Sequence, residues 1–150
     1  MNRYKAYFDA CCYGRPWDNP KVARHVAESI AILTAIEALR GAGHGIVGSM
    51  AVSFELGNNP NAASRAAIMK FYADTVNETV NLTDADFRRA RSLQSDGVGA
   101  MDSQHLVAAE IAGASYLLTV DDDFELIVTK KSLSEVIVIN PLTYLAGGMI

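Results

Sequence analysis

Residues 3–9 read RYKAYFD and residues 116–121 read YLLTVD. The first stretch is rich in aromatic residues and the second is mostly apolar, and each stops at an aspartate, Asp9 in the first and Asp121 in the second. Short apolar runs with polar ends are typical of buried strands. Helical patterns alternate with such runs along the chain, which indicates βαβ crossovers. The sequence therefore predicts an α/β fold with a mostly parallel sheet and helices on both faces.

The boundaries of the other elements come from apolar periodicity and from helix start and stop signals. Pro20 suits a first helical turn, and apolar residues then recur every three or four positions over residues 21–39. Ser49 is a candidate helix cap after a strand at residues 45–47. Further helices are predicted at residues 62–76, 83–93, 101–111 and 121–129, and further strands at residues 79–82, 116–120 and 136–139. The glycine and proline residues in 11–20 predict a loop.

Length and composition indicate one globular domain over residues 1–150. Its 150 residues are half hydrophobic and carry a net charge of -4. This charge weighs against a non-specific nucleic-acid binder, although bound cations change the field at an acidic site. No apolar run approaches the ~20 residues of a membrane helix, and the first residues lack the layout of a signal peptide. We expect a cytoplasmic protein without a membrane partner.

The two cysteines are neighbours, Cys11 and Cys12. Adjacent cysteines rarely satisfy disulfide geometry, which agrees with a reducing compartment. We interpret them as small buried apolar side chains. No CxxC motif or nearby histidine pair completes a zinc site.

Four acidic residues fall where a parallel sheet binds ligands, at the carboxyl ends of its strands. Asp9 and Asp121 directly follow strands, Glu55 lies on the helix after the second strand, and Asp102 lies in the first turn of a later helix. Gathered carboxylates repel one another, so a cation would stabilise them. Oxygen ligands suit Mg²⁺ or Mn²⁺, and such an ion supports phosphodiester hydrolysis.

Each acid also has a simpler interpretation. Asp9 and Asp121 could cap helices, Glu55 could be solvated, and Asp102 could favour a positive helix N-terminus. Asp123 is a spare candidate ligand beside Asp121, and spacing alone leaves the choice between them open.

Other polar residues are candidates as well. Arg15 could hold a substrate phosphate or form an ordinary ion pair. His105 could act near a metal, or it could bond Asp102, which we favour. Trp17 could stack on a base, although covering a hydrophobic rim is the preferred role.

Four segments resemble motifs of the PIN-domain family of metal-dependent nucleases, in the same order along nearly the whole chain. They are Tyr7-Phe8-Asp9, Ser49 followed by Glu55, residues 100–106 around Asp102, and residues 117–124 with Thr119-Val120-Asp121. Val138-Ile139-Asn140-Pro141 is similar to the closing strand and turn of the family.

The resemblance implies a three-layer αβα sandwich and endoribonuclease activity at a Mg²⁺ or Mn²⁺ site. Asp9, Glu55, Asp102 and Asp121 would be its metal-binding and catalytic residues. Substrate-binding roles fall to Ser49, Thr119 and Arg15. Many members of this size are toxins of VapC-like toxin–antitoxin pairs, so the expected partners are RNA, a cognate antitoxin and a second copy in a homodimer.

The first motif departs from the family pattern. The family commonly follows its first aspartate with Thr and then Asn or Ser, and this chain has Ala10 and Cys11. We expect both to serve poorly as hydrogen-bonding groups beside the metal region, where such changes can cost ~10–100-fold in affinity or activity. This departure and the acidic balance suggest one alternative, a non-catalytic PIN-fold protein-interaction module. Asp9 at a strand end leaves a second one open, a small-molecule phosphatase, although no obvious nucleophile motif is present.

Overall fold

A single five-stranded sheet forms the centre of the molecule. The computed structural model describes residues 2–148. The strands are β1 Lys5–Phe8, β2 Gly45–Ser49, β3 Glu78–Val80, β4 Tyr116–Leu118 and β5 Ile137–Ile139. All are parallel, in the order β3-β2-β1-β4-β5. The predicted α/β class with a mostly parallel sheet is confirmed.

Helices connect the strands and cover the sheet. They are α1 Ala10–Gly14, α2 Ala23–Gly41, α3 Met50–Gly57, α4 Ala62–Thr75, α5 Asp84–Ser95, α6 Ala100–Ala112, α7 Asp122–Lys131 and α8 Pro141–Ala146, with a short 3-10 turn at Arg15–Trp17. None of the helices in residues 2–148 combines the length and apolar character that crossing a membrane requires.

The central strand β1 is covered on both faces. Ala6, Tyr7 and Phe8 are all fully buried, and successive side chains of a strand point to opposite faces. Tyr7 bonds His105 of α6, whereas the Phe8 ring packs near the Tyr13 ring of α1. The arrangement is the expected three-layer αβα sandwich.

The prediction of a loop over residues 11–20 was wrong at its start. The Asp9 carboxylate accepts a hydrogen bond from the Cys12 backbone N–H at 3.3 Å and so caps α1. A side-chain acceptor at this position satisfies a donor that the first helical turn leaves open. Gly14 ends α1, and Pro16 then enters the 3-10 turn.

Pro20 lies outside the first turn of α2, contrary to prediction. Asn19 organises a turn first: its side-chain oxygen accepts from the Lys21 N–H at 3.0 Å, and its carbonyl accepts from the Val22 N–H at 3.2 Å. Asparagine favours such turns because its side chain bonds backbone two residues ahead. The helix therefore begins only at Ala23.

Helix α8 was not predicted. Asn140 caps it by accepting from the Leu142 N–H at 2.8 Å, and Pro141 occupies its first turn. The Asn-Pro pair that we interpreted as a closing turn is thus also a helix start.

Gly48 of β2 allows α4 to approach the sheet closely. A Cβ atom at this position would lie 2.3 Å from the Tyr72 hydroxyl oxygen. The Tyr72 hydroxyl donates to the Ser49 carbonyl at 3.2 Å, which ties α4 to the end of β2.

Candidate functional site

The strand order brings the ends of β1 and β4 side by side. Phe8 is in register with Leu118, and the Asp9 N–H donates to the Leu118 carbonyl at 3.2 Å. From β1 the chain proceeds outward through β2 to β3, and it then crosses back to form β4 on the opposite side of β1. Such a reversal opens a crevice at the carboxyl ends of the strands, and Asp9 lies in it.

Asp9 is almost fully buried and is held by several hydrogen bonds. The Cys11 thiol donates to its carboxylate at 2.8 Å, and the Thr119 side chain also bonds it. Cys11 therefore does serve as a hydrogen-bonding group here, which corrects our expectation for this position. Burial raises the pKa of the Asp9 carboxyl, while His105 and the bonds from Cys11, Thr119 and the Cys12 backbone oppose that rise.

Thr119 links the first and last acids. Its buried hydroxyl accepts from the Asp121 N–H at 3.1 Å, lies 3.5 Å from the Cys11 sulfur and belongs to a side chain that bonds Asp9. Thr119 thus holds the two strand ends, 112 residues apart in sequence at Asp9 and Asp121, in one arrangement.

Asp121 is exposed and caps α7. One of its oxygens, Oδ1, accepts from the Asp123 and Phe124 N–H groups at 3.0 and 3.2 Å. Both strand-end aspartates are therefore helix caps, as the simpler interpretation proposed. In Asp121 the capping bonds use one oxygen and leave Oδ2 for another ligand.

A buried hydrogen-bonded chain positions Glu55. The Ser49 hydroxyl lies 2.6 Å from the Tyr7 hydroxyl, which lies 2.7 Å from Nδ1 of His105. Nε2 of His105 lies 2.6 Å from the Glu55 carboxylate. Because an ionised carboxylate can only accept hydrogen bonds, Nε2–H of His105 donates to Glu55. The expected bond between His105 and Asp102 was wrong.

Tyr7 was not predicted as a functional residue, although its position in the sequence indicated one. It lies two residues before Asp9, and strand alternation places the two on the same face. The aromatic ring suggested only core packing. Its hydroxyl nevertheless joins Ser49 to His105.

Asp102 responds electrostatically to the other three acids. It lies in the first turn of α6 and is partly buried. Burial, as the largest cause, and the charges of Asp9, Asp121 and Glu55 together raise the pKa of its carboxyl to about 7, while His105 opposes the rise. Each neighbouring carboxylate disfavours ionisation of Asp102. All four acids selected from the sequence therefore lie within electrostatic reach of Asp102.

The four carboxylates are near one another but are not tightly gathered. Among residues 2–148, the one group of three potential ligands whose donor atoms all lie within 4.8 Å of one another is Asp9, Cys11 and Cys12. Burial raises the pKa of the Cys12 thiol well above its usual value, which disfavours the thiolate that a soft metal requires. The carboxylates are the better donors for a hard cation.

Asp123 and Arg15 stand apart from these interactions. Asp123 is exposed in the first turn of α7, and the charge that Asp102 senses there is that of Asp121. The Arg15 guanidinium lies 2.8 Å from Asp18 and 3.3 Å from Glu28. Arg15 has the ion-pair role that we considered, and phosphate binding by it stays a prediction.

Glu28 is the centre of an ionic network that extends to Asp122, the neighbour of Asp121 in sequence. Its fully buried carboxylate contacts Arg15, Arg24 at 3.1 Å and the Asn140 amide at 2.7 Å. Arg24 also makes a bidentate pair with Asp122, at 2.6 and 2.8 Å. The network ties the segment after β1 to the starts of α7 and α8.

A surface cavity of about 780 Å³ lies at the amino ends of β4 and β5, away from the acids. Its main charged groups are paired with each other: Arg89 donates to Glu110 and to the Leu133 carbonyl, and Ser134 donates to Glu110. We therefore locate the candidate site at the acids and not at this cavity.

Comparison of the sequence with protein-family models and with curated proteins finds no match. The four carboxylates and the side chains that hold them are consequently the features from which a function can be inferred.

Proposed function

We propose that this chain is a metal-dependent endoribonuclease of the PIN-domain type, acting in the cytoplasm. The observation that carries the proposal is the convergence of four acids at the carboxyl edge of the sheet. Thr119 bonds Asp9 and accepts from the Asp121 N–H. His105 of α6, the helix that bears Asp102, bonds Glu55. Burial and the charges of the other three acids raise the pKa of Asp102. Such a group of acids is costly when ionised alone and is relieved by a divalent cation.

The donor set fits Mg²⁺ or Mn²⁺. Asp9, Glu55, Asp102 and Asp121 would hold the ion through carboxylate oxygens, the donors that these hard cations prefer. When bound, the ion would supply Lewis-acid stabilisation of a phosphate and a lowered pKa for a water. Because the oxygens of these acids do not all lie within 4.8 Å of one another, we expect the acids to close around the ion on binding.

The surrounding side chains would orient the acids. His105 holds Glu55 at 2.6 Å, and Thr119 bonds Asp9 while it accepts from the Asp121 N–H. Ser49 has its hydroxyl bonded to Tyr7. For Ser49 and Thr119 these bonds support roles in positioning the acids in addition to the substrate-binding role that the resemblance implies.

The partners in this proposal are an RNA substrate, a small inhibitory antitoxin and a second copy of the chain. The antitoxin is expected only because the chain resembles VapC-like toxins. A short neighbouring gene with a DNA-binding N-terminus would support a toxin, and a gene without such a neighbour would favour a stand-alone nuclease.

Calorimetric titration with Mn²⁺ and cleavage of a fluorophore-quencher oligoribonucleotide test the proposal together. We expect wild type to bind Mn²⁺ and to cleave RNA only with metal, and Asp9→Asn and Asp102→Asn to lose both properties. Asp123→Asn is the matched control, since Asp123 is an exposed neighbour outside the group, and it should retain both. Retained manganese-dependent cleavage in both Asp9→Asn and Asp102→Asn would overturn the assignment, and no Mn²⁺ binding at millimolar concentration would favour the non-catalytic interaction module.

A further inference from the structure

Helix α2 carries an exposed row of large apolar side chains. Val22, Val26, Ile30 and Leu33 are 39%, 40%, 60% and 47% exposed. We call these four residues the α2 stripe. At 3.6 residues per turn they lie within about 80° of one another around the helix, with Val22 at its N-cap. The sequence spacing that predicts this helix therefore includes residues that the core of the chain does not cover.

The α2 stripe faces away from the sheet. The buried residues of α2 are Glu28, Ala31, Ile32, Ala35, Ile36 and Leu39. Their mean direction is about 150° from that of the stripe, since each residue advances about 100° around the helix. One helix thus has two apolar faces, and only one of them packs within the described chain. A contiguous exposed apolar row of this kind marks a contact surface.

Opposite charges lie at the two ends of the stripe. Lys21 precedes its first residue, and Glu37 follows its last residue by one helical turn. Both are exposed, and within residues 2–148 neither takes part in an ion pair. An antiparallel pair of identical helices centred between Ser29 and Ile30 would bring Lys21 of each copy close to Glu37 of the other.

We propose that the α2 stripe is the contact between two copies of this chain, packed with their α2 helices antiparallel about a twofold axis near Ile30. In this register Val26 of one copy meets Leu33 of the other, and both ends gain an ion pair. A parallel pair would instead place Glu37 against Glu37. A contact between two identical surfaces must be self-complementary, and a stripe with opposite charges at its two ends meets this requirement.

The proposal specifies the surface of the dimer included in the proposed function, and it rests on that function only for the expectation of a second copy. One helix pair buries less than the ~1,200 Å² of a standard interface. We therefore expect association in the micromolar range, with monomer and dimer in rapid exchange.

Sedimentation velocity of the full chain over a range of concentrations tests the proposal. Wild type should shift from monomer to dimer, whereas Ile30→Glu should weaken association by ~100-fold or more because it buries a charge at the centre of the contact. Leu126→Glu on α7 is the matched control, since Leu126 is 62% exposed and lies outside the stripe, and it should behave like wild type. Circular dichroism checks that each variant is folded.

A charge exchange separates antiparallel pairing from other arrangements. Lys21→Glu and Glu37→Lys should each weaken the dimer, and the double variant should restore it because the ion pairs form again with reversed sign. A monomer at all concentrations, a dimer unaffected by Ile30→Glu, or a double variant no tighter than the single ones would overturn the proposal. These measurements report association and not cleavage, so their outcome does not test the nuclease proposal.

Discussion

Replacing Asp102 with asparagine should stabilise the metal-free protein, and increasingly so as the pH rises. The pKa of Asp102 is about 7 in the fold, against an ordinary value of 3.8. The unfolded chain therefore loses this proton at lower pH than the folded chain does. Wild type loses stability between these two values as the pH increases, whereas an asparagine side chain at this position has no proton to lose.

The expected size of this change in stability follows from the pH range that an unfolding experiment can cover. Each pKa unit corresponds to about 1.36 kcal/mol, so the two units between about pH 5 and pH 7 correspond to roughly 2.7 kcal/mol. Asp102 is only partly buried, and solvent screening reduces the effect. We expect the stability advantage of Asp102→Asn to grow by about 1.5 kcal/mol between about pH 5 and pH 8.

Urea unfolding of both proteins in EDTA, at pH values across this range, measures the difference. Asp123→Asn controls for loss of a nearby exposed carboxylate and should show no comparable growth with pH. A stability difference for Asp102→Asn that is constant with pH would refute the inference that Asp102 senses the charges of Asp9, Asp121 and Glu55.

Three further predictions concern the metal, the ionic network around Glu28 and the glycine of β2. Mn²⁺ at about 100 times its dissociation constant should stabilise wild type by about 2.7 kcal/mol and leave Asp9→Asn unchanged, as a thermal-shift assay would show; equal shifts in both proteins would contradict the site. Glu28→Gln should cost about 3 kcal/mol in urea unfolding because it leaves Arg15 without its buried partner, and a cost below ~0.5 kcal/mol would mean that the network is not structural. Gly48→Ala should cost about 1–3 kcal/mol through overpacking against Tyr72; an unchanged melting temperature would show that α4 shifts freely.

The alternation of strands and helices and the convergence of the acids could be predicted from the sequence. Asp9 and Asp121 directly follow strand-like segments, and parallel strands direct their carboxyl ends to one edge. This geometric rule needs no knowledge of side-chain packing. The bounds of most elements were accordingly predicted to within a few residues.

Contacts distant in sequence could not be predicted in the same way. His105 is three residues from Asp102, yet it bonds Glu55, which is 50 residues away. Local spacing favours the near partner, whereas the packing of α6 on β1 decides the actual one. Periodicity likewise predicted helix α2 but not that Ile30 lies on its exposed face, because a helix with two apolar faces has the same spacing on both.

The pairing of β1 with β4 also determines when the proposed site can exist during synthesis. Asp9 is made more than one hundred residues before its partners Leu118 and Thr119. A nascent chain that stops before β4 has no neighbouring strand beside Asp9 and no Asp121. The four acids can therefore meet only after the ribosome has added residues 10–121, and a metal site that needs all four of them cannot form earlier.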